Sequence, residues 1–270
     1  MIQGERRGVL VHKAKVIFNK KTGSGFFHMR TGLEKKTGTA PGQFINILVS
    51  EGYEPLLRRP FSVFNASPYS IEIVYKVVGK GTKLLSKKKK GAPLDFTGPL
   101  GNSYLDFLDE ADGKKIILVG GGTGAASVYF LAKELKKNKA DFSVIQGAAC
   151  GSELVCPEKF GKLGCLFATE DGSRGKKGMV TELLKKKIKK DSMVFACGPE
   201  PMLKAVRKVC GAGIKVYGSF EAYMGCGIGA CLSCVIPVKA VKGSGFEYKR
   251  VCADGPVFDL KKVIFQQETD

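Results

Sequence analysis

Lys114-Lys115-Ile116-Ile117-Leu118-Val119-Gly120-Gly121-Gly122-Thr123-Gly124-Ala125 is the stretch that decides the fold. Its unbroken apolar run reads as a strand buried on both faces. The glycines let the backbone turn sharply, and a helix is expected from Ala125 to Lys137. Strand, glycine turn and helix together open a dinucleotide-binding unit, in which the helix start offers unpaired N–H groups to a pyrophosphate. The turn fits G-x-G-x-x-A, which makes Gly121, Gly122, Thr123 and Gly124 candidate contacts. No acidic residue ends the next strand, where a standard Rossmann unit binds a ribose. A tight turn that binds nothing would use the same residues.

Downstream, strands are expected at Asp141–Ile145, Cys165–Ala168 and Ser192–Ala196, and a helix over Val180–Lys189. Strands alternating with helices mean a parallel sheet. A second turn, Ala196-Cys197-Gly198-Pro199-Glu200-Pro201-Met202, stands at a strand's C-terminal end, the edge where such sheets hold ligands. Proline is ordinary at a helix start. Cys197 reads equally well as a residue facing a nicotinamide or as a small core residue. Upstream, Gly8–Phe18, Gln43–Val49 and Ile71–Val78 are strand-like, with Gly, Pro, Asn and Ser between them. They suggest an antiparallel barrel.

The last region holds Gly225-Cys226-Gly227-Ile228-Gly229-Ala230-Cys231-Leu232-Ser233-Cys234, with Cys252 beyond it. C-x₄-C-x₂-C plus a distant fourth cysteine is the ligand order of a plant-type [2Fe–2S] site. The interleaved glycines permit tight backbone with N–H groups aimed at sulfur. Zinc is the alternative, although only one C-x₂-C knuckle is present. Disulfides suit the chain poorly: it has nine cysteines, and Met1–Arg7 shows no signal-peptide pattern. A reducing cytoplasm is therefore expected. The expected class is a β-barrel domain at 1–104, a nucleotide-binding α/β domain at 105–216 and a small cluster module at 217–270.

Composition narrows the function. A net charge of +19 could serve nucleic acid, an anionic membrane or an acidic partner. No nucleic-acid motif accompanies it, and no apolar run approaches the roughly 20 residues of a membrane span. Neither a nucleic-acid partner nor a transmembrane segment is expected. Two histidines, His12 and His28, supply histidine catalysis poorly, which fits chemistry borne by cofactors.

Three further segments stand in a telling order. They are Arg58-Arg59-Pro60-Phe61-Ser62, then Val74-Tyr75-Lys76-Val77-Val78-Gly79-Lys80-Gly81-Thr82, then Gly98-Pro99-Leu100-Gly101. With the two nucleotide turns, this order resembles the ferredoxin–NADP reductase superfamily. The cysteine run and Tyr248–Phe258 resemble, more narrowly, the electron-transfer subunits of NAD-dependent dihydroorotate dehydrogenases of pyrimidine synthesis. The resemblance implies FAD held by Arg59, Pro60, Phe61, Ser62, Val74, Tyr75, Lys76, Gly81 and Thr82. Arg59 would face the pyrophosphate and Ser62 the flavin ring; alone, the two would read as a surface ion-pair arginine and a strand-end hydroxyl. It implies NAD at Gly121–Gly124 with Cys197, Gly198 and Pro199, and a [2Fe–2S] cluster on Cys226, Cys231, Cys234 and Cys252. It also implies an FMN-containing catalytic partner in a heterotetramer of two of each chain, with electrons passing from that FMN through cluster and FAD to NAD⁺. An NAD(P)H-input subunit of a sulfide dehydrogenase or a bifurcating transhydrogenase is the alternative. Glu170-Asp171 at a strand end opposes a 2′-phosphate and favours NAD over NADP, although Arg174, Lys176 and Lys177 follow closely.

Overall fold

The computed structural model describes residues 10–111, 113–240 and 245–265. Gly8 and Val9 of the first expected strand, the segment Met1–Arg7 and residues 266–270 of the polar tail lie outside these residues. Seven antiparallel strands come first: β1 (Val11–Lys21), β2 (Phe26–Leu33), β3 (Phe44–Leu48), β4 (Arg59–Ser62), β5 (Asn65–Ser67), β6 (Ser70–Lys76) and β7 (Pro93–Leu100), with helix α1 (Lys80–Ser86) between β6 and β7. Their order is β4-β3-β7-β1-β2-β6-β5, and the sheet curls until β4 lies against β6. β1 begins by alternating exposed and buried positions, as a half-buried strand must. β2 does not alternate cleanly, because it buries His28 next to Met29; Thr31 is buried in phase with Met29 and Leu33. His28 Nε2 lies 2.6 Å from Glu72 Oε2 on β6, and Thr31 Oγ1 donates to the Ile71 carbonyl. Burial pushes the Glu72 carboxyl up, yet hydrogen bonds from His28 and Asn65 hold it down at about 2.

A short 3₁₀ segment, Tyr104–Ala111, leads into the second sheet. It contains β8 (Lys115–Gly121), β9 (Phe142–Ala148), β10 (Leu166–Thr169), β11 (Lys176–Lys177), β12 (Ser192–Cys197) and β13 (Lys215–Ser219), interleaved with α2 (Ala125–Lys137), α3 (Pro157–Gly161), α4 (Val180–Lys187) and α5 (Glu200–Cys210). The order β11-β10-β9-β8-β12-β13 is parallel throughout and reverses direction at β8, which creates a crevice at the strands' C-terminal edge. β14 (Val235–Lys239) and β15 (Phe246–Arg250) then form a hairpin, and β16 (Val257–Asp259) returns antiparallel to β13. The expected β-barrel and parallel sheet are both present. Element ends shift by a few residues, as where β6 stops at Lys76 ahead of Gly79.

The two halves of the crevice are set by one close approach. A Cβ placed on Gly124 would lie 2.6 Å from the Cys197 carbonyl carbon and from the Gly198 nitrogen. The first turn of α2 thus rests directly on the backbone leaving β12. Gly124→Ala is expected to force the two apart, at about 1–3 kcal/mol. A thermal melt should show a Tm several degrees lower, with weaker NADH binding by titration. An unchanged Tm would mean the two turns are not in contact.

Candidate functional site

A cleft of about 500 Å³ opens at the C-terminal edge of the parallel sheet, against the barrel. Pro60, Phe61 and Ser62 of β4 form one wall, and Val74, Tyr75 and Lys76 of β6 another. Thr82 of α1 and Thr123 of the first nucleotide turn reach its rim. Apolar walls with a few placed polar groups are what a flat aromatic cofactor needs. A larger depression of about 820 Å³ opens at the opposite edge, around Lys115, Asp141 and Asp191, where β8, β9 and β12 begin. Ligands of such sheets bind at the other edge.

Several site residues already have duties. Arg59 lies across buried Gly81: a Cβ there would stand 3.2 Å from Arg59 Nε. Its guanidinium donates to the carbonyls of Leu57 (2.7 Å) and Arg58 (3.3 Å). The Thr82 hydroxyl accepts from the N–H groups of Val78 and Gly79 and donates to the Gly79 carbonyl. That fills its bonding capacity, so Thr82 offers a ligand its backbone rather than its hydroxyl. Tyr75 donates to Asn19 Oδ1, and the Asn19 amide in turn holds the carbonyls that end α1. Lys76 pairs with Glu153 at 2.6 Å and so ties the barrel to the nucleotide domain.

The nucleotide turns sit just behind this rim. Gly121 and Gly198 both press on the Met202 side chain, and Pro199 caps α5. Gly122 differs. Its φ is +52°, and a Cβ there would meet nothing within 4 Å, so open space lies over the turn where a pyrophosphate could approach. Cys197 is fully buried, and burial pushes its thiol up to about 12. It shares hydrogen bonds with Ser219 and Ser127, and Ser127 in turn bonds the Tyr104 hydroxyl at 2.9 Å. Cys197 therefore lies beneath the cleft, one hydroxyl away from it through Ser219.

One wall was missed by sequence reasoning altogether. Ser219, Phe220, Glu221, Ala222, Tyr223 and Met224 all line the cleft. Ser219 ends β13 and the others directly follow it, and a strand end on the ligand edge is the signal that could have found them. Glu221 is exposed to the cleft yet ringed by protein, and this burial raises its carboxyl.

The four cysteines form two neighbouring pairs. Cys226 and Cys231 share hydrogen bonds, the Cys226 N–H pointing to Cys231 Sγ at 3.4 Å. The N–H groups of Ile228, Ala230 and Cys231 converge on Cys226 Sγ at 3.3–3.4 Å. Hydrogen bonding from Ser233 and Cys226 brings the Cys231 thiol down to about 6. Cys234 and Cys252 flank the hairpin where Val235 pairs with Arg250, and the Cys252 thiol contacts Cys234. Burial and that neighbour push Cys252 up to about 12. Two adjacent thiol pairs, one wrapped in N–H donors, fit a two-iron cluster. Among the described residues no three His, Cys, Asp or Glu side chains gather about a single metal ion.

Glu170 and Asp171 are exposed beyond β10. Asp171 Oδ1 accepts from the Ser173 hydroxyl (2.6 Å) and N–H (2.9 Å), which lowers its pKa. Arg174 pairs with Glu158 and stacks on Phe167, and Lys176 pairs with Glu182. Both cations are thus engaged by the protein.

Comparison with known proteins agrees with this architecture. Residues 221–264 match the family described as iron-sulfur cluster binding domain of dihydroorotate dehydrogenase B, and residues 118–208 match the oxidoreductase NAD-binding domain. The chain is 40% identical, over 94% of its length and 98% of the relative's, to the "Dihydroorotate dehydrogenase B (NAD(+)), electron transfer subunit" of Caldanaerobacter subterraneus subsp. tengcongensis. It is 38% identical to the protein of that name from a Geobacillus species, over 98% of this chain and all of that one. A solved NADH-dependent reduced ferredoxin–NADP oxidoreductase, studied for flavin-based electron bifurcation, superposes with a TM-score of 0.78 at 28% identity, covering 93% of this chain and 89% of that one. The ferredoxin NADP⁺ reductase of Neisseria gonorrhoeae, solved with bound FAD and NADP, shares the fold at a TM-score of 0.65 and 17% identity, over 78% and 99% of the two chains. With near-full-length relatives of one name and that family's cluster domain at its C-terminus, the chain belongs to the electron transfer subunits of NAD-dependent dihydroorotate dehydrogenase B.

Proposed function

We propose that the chain works as a two-electron to one-electron converter, linking NAD to the catalytic subunit of a dihydroorotate dehydrogenase in pyrimidine synthesis. The observation that carries this is continuity. Phe44 and Phe220 line the cleft and belong to the same packed core as Cys234 and Cys252. The nucleotide edge, the flavin-shaped cleft and the cysteine loop are therefore one contiguous body. FAD held in this cleft would supply hydride chemistry toward nicotinamide and single-electron chemistry toward a [2Fe–2S] centre, which is what lets a two-electron carrier feed a one-electron one.

The chain's own residues do the rest. The reading assigns Pro60, Phe61, Ser62, Val74, Tyr75 and Lys76 to the flavin, with Arg59, Gly81 and Thr82 at its phosphates. It assigns Gly121–Gly124 and Cys197–Pro199 to NAD, and the four cysteines to the iron atoms. The Ser62 hydroxyl can orient the ring from β4, while Phe220 closes the opposite wall and excludes water. The units 1–104, 105–216 and 217–270 would divide the labour in that order. No described helix is long and apolar enough to cross a membrane, and all nine cysteines are free thiols. The reading places the chain in the cytoplasm, two copies with two catalytic subunits. Tyr223, Ile228, Leu232 and Tyr248 are exposed apolar residues on the cluster module, and they offer the catalytic subunit its docking rim.

Cys226→Ser, Cys231→Ser, Cys234→Ser or Cys252→Ser should abolish the cluster's visible absorption, since a hard oxygen ligand suits it less, while FAD stays bound. Cys210→Ser, buried at the end of α5, should keep the spectrum. A normal cluster in Cys252→Ser would remove that residue from the ligand set. NADH should reduce the protein with a kcat/KM at least tenfold above that of NADPH; equal values would contradict the role given to Glu170 and Asp171. The isolated chain should pass electrons from NADH to dyes but not oxidise dihydroorotate. Adding the FMN-containing subunit should restore NAD⁺-linked oxidation, and Ile228→Glu should weaken assembly more than dye reduction. Dihydroorotate oxidation by the chain alone would end this division of labour. A partner inert toward dihydroorotate would instead move the chain toward the bifurcating class of its structural neighbour.

A further inference from the structure

Asn46 sits at the centre of β3, between β4 and β7, with 0% of its surface exposed. Neither its amide nitrogen nor its amide oxygen has a hydrogen-bond partner. A buried amide with both ends unpaired is rare, because each end gave up water on folding. Such a side chain marks a place where a polar partner belongs.

Its surroundings say which partner. Strand alternation turns Ile45 and Ile47 into the barrel core, so Asn46 faces outward with Phe44, toward the cluster module. The residue it presses on is Gly227, between Cys226 and Ile228: a Cβ on Gly227 would collide with Asn46 Nδ2. Gly227 also has φ +71°, so the loop reaches the amide only because no side chain intervenes. Across β4, Asn46 pairs with Pro60, which lines the cleft. The amide thus lies between the flavin wall and the cysteine loop.

The geometry points to Asn46 as a buried hydrogen-bond donor to the sulfurs of the [2Fe–2S] cluster, a residue that tunes the cluster rather than binding it. The inference rests on the cluster assignment proposed above. The sulfurs of such a centre are negatively charged acceptors, and they select the NH₂ face of the amide. Donors to sulfur stabilise the reduced centre and raise its potential. The N–H groups of Ile228, Ala230 and Cys231 serve Cys226 from within the loop. Asn46 adds a donor from the barrel, on the side facing the flavin.

The test uses the intact protein with its cofactors bound, and redox titration of the cluster followed by the electron paramagnetic resonance of its reduced form. Asn46→Leu keeps shape and removes the donor. It should leave the oxidised cluster spectrum in place and lower the equilibrium constant for one-electron reduction about tenfold, which is about 59 mV more negative. Asn46→Asp puts negative charge at the same place, should lower the potential further, and carries the test if Asn46→Leu does not fold. An unchanged cluster potential in either folded variant overturns the assignment, whatever happens to the Tm. A shift confined to the flavin's potential overturns it equally. Absence of a cluster in the unsubstituted protein would instead remove the cofactor reading beneath it, and the spectrum separates those two failures.

Discussion

Everything that matters here depends on a seam where three parts of the chain meet at Asn102. Its amide donates to the Val257 carbonyl and accepts from the Val257 N–H, both at 2.9 Å, and its own N–H donates to the Gly255 carbonyl at 2.6 Å. Asn102 leaves the end of barrel strand β7, and Val257 opens β16 on the nucleotide sheet. Next to it Gly101 packs so closely that a Cβ would lie 2.5 Å from Pro256 Cδ. A two-way amide bond of this kind behaves like one rung of a sheet. It fixes both the distance and the rotation between the parts it joins. The segment from Val251 to Gly255, which carries Cys252, hangs from that rung. With the contact of Gly227 on Asn46, it sets the spacing between the cleft and the cysteine loop.

The nucleotide half was legible because its signals are local. Ile116–Val119 are buried on both faces, as a continuous apolar run requires, and the turn after them is glycine because α2 rests on Cys197 and Gly198. The cysteine spacing was legible for the same reason: one short loop brings Cys226 and Cys231 together. Features that depend on distant chain were not legible. β2 hides its alternation because His28 is buried against Glu72, 44 residues away. The Ser219–Met224 wall carries no motif and becomes a wall only because β13 ends at the ligand edge. Asn46 looks like an ordinary polar residue in an apolar strand until Gly227, 181 residues later, is seen to press on it.

Motif residues also turned out to be busy in ways that spacing alone does not reveal. The Thr82 hydroxyl is consumed by the turn it closes, and Arg59 is held by the carbonyls of Leu57 and Arg58. Those bonds pre-set the turn, so a phosphate arriving there meets a formed backbone instead of having to order one. The same logic applies beyond β10. Arg174 and Lys176 are tied to Glu158 and Glu182, while Glu170, Asp171 and Lys177 stand exposed at that edge.

The burial of the four cysteines gives the site a direction. Cys234 and Cys252 are buried in the core they share with Phe44 and Phe220, Cys226 is half-buried, and Cys231 is exposed. One thiol pair is thus enclosed by the core that reaches the cleft, and the other carries the thiol open to solvent. An electron centre that serves an internal cofactor and an external protein needs this gradient. Its inner face must exclude water so that charge moves without large solvent rearrangement, and its outer face must be open to contact. Beside the open thiol stand Tyr223, 97% exposed, with Ile228 and Leu232. A free apolar rim around a half-exposed redox centre is costly in water, and covering it with a partner removes that cost. On the proposed reading, the loop that would make a cluster reachable would also make association favourable where association serves electron transfer.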